Sequence, residues 1–110
     1  MPFAASPLYV AKAALFRTLG HPARVRILEL LRDGERSVGA LQDALDLDSG
    51  GTSQHLAALR RVGLVVSRRE GTSVYYFAAD PEVFALLDVG RAQVVRTLRE
   101  QQGLLAELAE

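Results

Sequence analysis

The sequence contains no cysteine and no tryptophan, and lysine occurs only at Lys12. The absence of cysteine excludes disulfide bonds, thiolate metal sites and thiol-based redox sensing. No apolar run reaches the roughly 18 residues that a membrane span requires, and no charged segment followed by an apolar stretch precedes a cleavage site. We therefore expect a cytoplasmic protein with no membrane contact.

The size and charge of the chain fit one folded domain. It has 110 residues, which is too few for two domains. Of these residues 49% are apolar and 24% are charged, and both fractions are typical of a folded protein. The net charge is zero, but residues 49–77 carry four arginines against one glutamate, and residues 78–110 carry three arginines against six acidic side chains. The middle of the chain therefore predicts a local basic patch.

The N-terminal part of the chain predicts a tail and two helices. Residues 1–7 hold two prolines and small side chains, and we expect a flexible tail. Apolar residues at helical spacing predict one helix over residues 8–19 and a second over residues 22–32, with Arg24 on its solvent side. His21 precedes Pro22 and is expected to be exposed or to cap that second helix.

Residues 37–62 predict two further helices joined by a short turn. Ser37 is a natural N-cap for the third helix, and Asp48 or Ser49 for the fourth. Two helices joined by so few residues cross at a steep angle, which is the helix-turn-helix arrangement. The fourth helix is expected to bury Thr52, Leu56 and Leu59.

After Gly63 the apolar pattern changes period. Residues 64–77 are rich in β-branched and aromatic side chains, interrupted at Glu70-Gly71, and they predict a β-hairpin. A final helix is predicted over residues 81–102, with Gly103 ending or bending it. The predicted fold is mainly α, with one small hairpin.

The final helix carries more apolar surface than a domain of this size can cover. One apolar seam is explained by packing on the first helix, and the second predicts a partner subunit. Gly90 lies in the middle of this helix, where glycine costs about 1 kcal/mol relative to alanine. A close approach of two backbones at a two-fold axis would explain it. The predicted homodimer interface consists of Leu8, Leu15, Phe84, Leu87, Gly90, Val94 and Leu98.

The fourth helix and the hairpin together predict a nucleic-acid interface. A rigid helix followed by a basic hairpin fits a major groove and the phosphates beside it. Ser53 and Gln54 fall on the side of the helix away from its apolar face, and both can hydrogen-bond base edges or phosphates. Taken alone, these residues fit a merely solvated helix face better than a contact surface, and it is the adjoining hairpin with its arginines that favours contact with bases or phosphates. Of the two hairpin arginines, Arg68 and Arg69, one is allowed to make no contact.

Four passages, LGHPARVRILELL, SVGALQDAL, SQHLAALRRVGLV and RREGTSVYYF, together resemble the ArsR/SmtB family of winged helix-turn-helix repressors, in the subset without metal-binding cysteines. The resemblance covers roughly residues 8–100. It implies a homodimer built by the terminal helices, binding of double-stranded DNA at an inverted-repeat operator, and release on an inducing signal. It makes the fourth helix the recognition helix, with Ser49, Ser53 and Gln54 at the floor of the groove and His55 near the DNA backbone or at the junction with another helix, and it makes the hairpin the wing, with Arg68, Arg69 and Thr72 toward DNA. Gly51 departs from the family pattern, and we expect its amide to approach a phosphate. Arg60 and Arg61 are expected either to contact DNA or to complement the helix dipole.

The resemblance also bears on metals. Members that sense thiophilic metals carry Cys-x-Cys in the third helix, where this chain has Ser37 and Gly39, and its last helix lacks histidine. We therefore expect no metal and no other cofactor. The releasing signal is then a small-molecule inducer at the dimer interface, a partner protein, or absent altogether.

Two other functional classes compete with DNA binding. The first is a winged-helix module for protein–protein contact, whose basic patch meets an acidic partner. The second is an enzyme, for which the sequence offers no GxSxG or HExxH motif, and Ser53 and His55 point in different directions on a helix. The sequence predicts that the protein is not an enzyme.

Overall fold

Over residues 6–109, which are the residues that the computed structural model describes, the chain forms five α-helices and a small antiparallel sheet. The elements in chain order are α1 (Pro7–Leu19), α2 (Pro22–Leu30), a 3-10 turn (Leu31–Asp33), β1 (Arg36–Ser37), α3 (Val38–Leu45), α4 (Ser49–Arg61), β2 (Val65–Glu70), β3 (Ser73–Ala78) and α5 (Glu82–Leu108). Of the predicted tail, residues 1–5 lie outside the described part, and Pro7 is the first residue of α1.

Side-chain caps fix where three helices begin. The Nδ1 atom of His21 accepts a hydrogen bond from the amide two residues later at 3.1 Å, at the start of α2. The Ser37 hydroxyl accepts from the amide three residues later at 3.0 Å, and the Asp48 carboxylate does the same at 2.6 Å. Such caps satisfy amides that have no partner inside the helix. The caps expected at these three positions are confirmed.

The sheet has the strand order β1-β3-β2. The hairpin register pairs Val65 with Ala78 and Glu70 with Ser73, which leaves Gly71 and Thr72 as a two-residue turn. Gly71 has φ +60°, a backbone conformation that glycine adopts without strain. The turn predicted at Glu70-Gly71 was therefore misplaced by one residue. Strand β1 was not predicted, because two residues are too few to show an alternating pattern.

The apolar core lies between α2, α3, α4 and the sheet, and the outer helices contribute little to it. None of the described residues of α1 is buried, and α5 contributes only Val83. Among residues 6–109, the one buried polar side chain is Thr52, whose hydroxyl donates to the Asp48 carbonyl at 3.0 Å. The buried apolar residues are Ile27, Leu28, Leu31, Leu41, Leu56, Leu59, Leu64, Val65 and Val83.

Helix α5 differs from its prediction in two ways. It runs to Leu108 rather than residue 102, because an isolated glycine such as Gly103 weakens a helix by only about 1 kcal/mol and need not end it. It also packs chiefly against α2 rather than α1. Arg32 links the two helices through its ion pair with Asp88 at 2.6 Å. Within the described part, no helix is both long and apolar enough to cross a membrane.

Candidate nucleic-acid interface

Helix α4 is held by one face and open on the other. Its inner face places Thr52, Leu56 and Leu59 in the core with 0% exposure. Its exposed residues are Ser49, Gly50, Ser53, Gln54, Ala57, Arg60 and Arg61. A helix anchored in this way offers a row of polar side chains without moving its backbone, which is what reading a groove requires.

The first turn of α4 is closely packed around its cap. A Cβ atom on Gly51 would lie 3.0 Å from the carboxylate of Asp48, which already accepts the Gly51 amide. The absence of a side chain at Gly51 therefore allows the Asp48 carboxylate to approach the amide closely. Since that amide is engaged by a carboxylate, the structure gives no independent support to a phosphate contact at Gly51, which stays a prediction.

His55 lies at the junction of α4 with α2, half-buried. Its Nδ1 atom accepts a hydrogen bond from Arg24 Nε at 3.1 Å. The expectation that Arg24 lies on the solvent side of α2 was wrong, because the side chain turns inward to this contact. Burial lowers the pKa of His55, and the positive charges of His21 and Arg24 lower it further. A DNA contact by His55 stays a prediction.

The two arginines of the wing are not equivalent. Neighbouring residues on a strand point to opposite faces, and Arg68 turns toward Glu35 while Arg69 does not. Glu35 accepts from Arg68 Nε at 2.7 Å and from a second nitrogen of the same guanidinium, and Glu70 accepts from a third at 2.8 Å. The guanidinium also lies 4.7 Å from the centre of the Tyr75 ring.

The pKa values follow from this arrangement. Hydrogen bonds to Glu35 and then Glu70 raise the pKa of Arg68. The hydrogen bond from Arg68 in turn lowers the pKa of Glu35. Three other arginines, Arg60, Arg61 and Arg69, are exposed and make no ion pair with any residue from 6 to 109. They form a free basic set, whereas Arg68 is already neutralised. Thr72 lies exposed in the turn of the wing.

The residues predicted for a dimer interface fall into two groups. Leu8, Val94 and Leu98 are 59%, 58% and 54% exposed, and Gly90 is exposed with nothing within 4 Å of a Cβ placed on it. The others, Leu15, Phe84 and Leu87, are half-buried against the core. Sequence reasoning missed further exposed apolar side chains on α1 and α5, namely Tyr9, Val10, Phe16, Val89, Leu104, Leu105 and Leu108. The Leu104-Leu105 pair beyond Gly103 was the available signal that α5 continues.

A metal centre finds no support in the described residues. Between residues 6 and 109, no group of three or more His, Asp or Glu side chains is placed to hold a metal ion. Ser37, at the position of a family cysteine, uses its hydroxyl to cap α3.

Comparison with known proteins identifies a consistent set of relatives. A family model described as a helix-turn-helix domain matches residues 19–68. The HTH-type transcriptional regulator Rv0081 of Mycobacterium tuberculosis is 46% identical over 103 residues, covering 93% of this chain and 90% of the relative. Its crystal structure superposes with a TM-score of 0.82 over 88% of this chain and 98% of that chain.

Two relatives of lower identity are also transcriptional regulators by name. The transcriptional activator HlyU of Vibrio cholerae is 42% identical over 80 residues, covering 72% of this chain and 74% of the relative. The solution structure of Mb0332 from Mycobacterium bovis is 38% identical, has a TM-score of 0.72 and covers 82% of each chain. That structure is described as a homodimeric winged helix-turn-helix DNA-binding domain of a possible ArsR-family regulator.

Proposed function

This chain belongs to the ArsR family of winged helix-turn-helix transcriptional regulators, and from that membership we propose that it is a homodimeric repressor of an inverted-repeat operator, released by a signal other than a metal ion. Members of this family are DNA-binding regulators and not enzymes.

The observation that carries the proposal is the division of α4 into a buried and an open face. Thr52, Leu56 and Leu59 fix the helix in the core. Ser53 and Gln54 then project from the opposite side, where glutamine can make paired hydrogen bonds to adenine in a major groove. The free basic set flanks this face at the end of α4 and on the wing, where phosphates would lie.

A homodimer accounts for the apolar surface of α1 and α5. Exposed apolar residues recur along both helices, and large exposed apolar patches mark interaction surfaces. The relative Mb0332 is described as homodimeric. A two-fold pair of α4 helices would read two half-sites about one helical turn, or roughly 34–36 Å, apart.

Repression is the simpler outcome for a dimer that sits across its operator, because it denies that stretch of DNA to other proteins. Transcription in vitro from a promoter carrying the selected site tests this point. We expect the transcript to fall as protein is added. A rise in transcript would make the protein an activator, as the name of HlyU says of that relative.

A non-metal signal is supported by the donor atoms at hand. The chain has no thiolate, and the described residues offer no three-ligand cluster. The candidates are then a small organic ligand, a partner protein, or no ligand at all. Addition of Zn²⁺, Ni²⁺ or Cd²⁺ to the protein–DNA complex should leave the affinity unchanged, and release by any of them would contradict this part of the proposal.

The main experiment selects bound sequences from a random pool of duplex DNA. We expect two-fold symmetric sites with half-sites one turn apart, and affinity that falls steeply with salt, as contact with several phosphates requires. Gln54→Ala should change the preferred bases, whereas Gln93→Ala, which removes the same side chain from an exposed position on α5, should not. No binding even at low salt would favour a protein–protein module with an acidic partner.

A further inference from the structure

Three helices meet at one arginine. Arg24, on α2, donates from Nε to His55 of α4 at 3.1 Å and from Nη1 to the Thr18 carbonyl at 3.3 Å, near the end of α1. The outer helix α1 is a candidate for the dimer surface, and α4 is the candidate recognition helix. The side chain of Arg24 therefore joins the part that pairs the subunits to the part that faces DNA.

Each histidine of this joint accepts a hydrogen bond on its Nδ1 atom. His21 accepts from the Ala23 amide, and His55 accepts from Arg24, so Nδ1 of His55 carries no proton in this arrangement. The ring centres lie 4.4 Å apart with the planes tilted by 53°. A proton on Nδ1 of His55 would turn an acceptor into a donor that faces the donor of Arg24.

We propose that Arg24, His21 and His55 form a proton-sensitive joint that positions the recognition helix against α1, and that protonation of His55 opens it. The joint itself is a property of the free protein. Its effect on operator binding rests on the proposed function.

The surroundings of His55 favour the neutral ring. Burial is the main reason that its pKa lies below the ordinary 6.5, followed by the charges of His21 and Arg24. These two groups, one at the N-cap of α2 and one on α2, are the charged neighbours that act on it, and α1 contributes only the Thr18 carbonyl, through Arg24. No carboxylate within residues 6–109 counteracts them.

The direction of the pH effect follows from the lowered pKa of His55. A histidine whose pKa is lower in the folded state binds fewer protons there than in the unfolded chain, so stability rises with pH in the interval between the two values. The joint is fully formed above pH 6.5, the ordinary histidine value, and weakens as the pH falls through the lower value of the folded protein. Acidification should therefore loosen α4.

The first test is carried out on the full chain without DNA. The carbon-bound ring protons of His55, followed by NMR from pH 8 to pH 5, should titrate below the ordinary value, and amide exchange along α4 should accelerate over the same range. His55→Gln retains an acceptor for Arg24 but cannot titrate, so the same acceleration should be absent from that variant. Titration of His55 at or above pH 6.5, or equal acceleration in His55→Gln, would overturn the joint.

The second test measures affinity for the selected operator at constant salt. We expect the wild-type affinity to fall on acidification, roughly tenfold for each unit by which DNA binding lowers the pKa of His55. His55→Gln should show a flatter profile, whatever its affinity at pH 8. His55→Ala, which leaves Arg24 without its acceptor, should bind more weakly than His55→Gln at pH 8. A gain in wild-type affinity on acidification would mean that His55 contacts phosphate directly and would overturn the proposal.

The two tests separate the two claims. If no operator is bound at pH 8, the proposed function fails, and NMR still decides whether the joint exists. If the operator is bound equally at pH 8 and pH 5.5 by wild type and His55→Gln, the function stands and the joint has no role in it.

Discussion

The body of the domain and its two terminal helices both carry regularly spaced apolar residues, but these residues differ in exposure. In the body, Leu56 and Leu59 are fully buried. On α5, Val94 and Leu98 are more than half exposed, although they continue an equally regular seam. Regular apolar spacing therefore identifies a face that will be covered, but not whether the cover is in the same chain. The body completes its own core, whereas the apolar surface of the terminal helices is the surface that the proposed homodimer would cover.

The largest expected effect is on the stability of the body. Leu56→Ala should lower the free energy of unfolding by about 2–5 kcal/mol, because it removes a fully buried side chain and leaves a cavity. The same substitution at Leu108, which is 74% exposed in the last turn of α5, should change it by no more than about 0.5 kcal/mol. Urea unfolding followed by circular dichroism measures both. Equal losses at the two positions would erase the distinction between the body and α5.

The next effect is on assembly. Leu98→Glu should convert a dimer to a monomer, because a carboxylate would have to be buried in an apolar interface. Sedimentation equilibrium should report the change in mass, while circular dichroism reports an intact helical fold. Ala92→Glu adds the same charge on the opposite side of α5 and should leave the dimer intact. If Leu98→Glu sediments as the wild type does, the α5 seam is not the interface.

Loss of the dimer should also be visible on DNA. The selected operator should then bind Leu98→Glu with the affinity of a single half-site, and shortening the operator to one half-site should make little further difference. Ala92→Glu should still distinguish the full site from the half-site. This comparison separates pairing of subunits from the contacts that each subunit makes.

The sequence predicted what depends on near neighbours along the chain. The periodicity that places Leu56 and Leu59 in the core, and the caps at Ser37 and Asp48, are set by residues within one or two turns. Sequence reasoning failed where contacts are distant. Arg68 meets Glu35 from 33 residues away, and Arg24 meets His55 from 31 residues away. No local pattern specifies such a pair.

The buried residues of α2 also show that contacts with distant parts of the chain are not visible in a local pattern. Leu28 is fully buried although it lies outside the apolar seam of Ala23, Ile27, Leu30 and Leu31, whose spacing in the sequence predicts the buried face of α2. The seam was drawn for a helix with one covered face, but α2 packs against α1, α3, α4 and α5. A helix enclosed on several sides buries more than one stripe of residues.

The smallest expected effect concerns the division of labour on the wing. Arg69 makes no ion pair within residues 6–109, so Arg69→Ala should remove one phosphate contact per subunit. Each phosphate contact contributes about 0.9 to the slope of log affinity against log salt concentration, so the slope should become shallower by about 2 per dimer. Arg68→Ala should change the slope by less, because its charge is already held by Glu35 and Glu70. Arg96→Ala removes one positive charge from the outer side of α5 and serves as the control.

An equal decrease for Arg68→Ala and Arg69→Ala would mean that the ion pair between Arg68 and Glu35 breaks when DNA binds. In that case Glu35→Gln should strengthen DNA binding more than Glu107→Gln, which removes the same charge from an exposed position on α5.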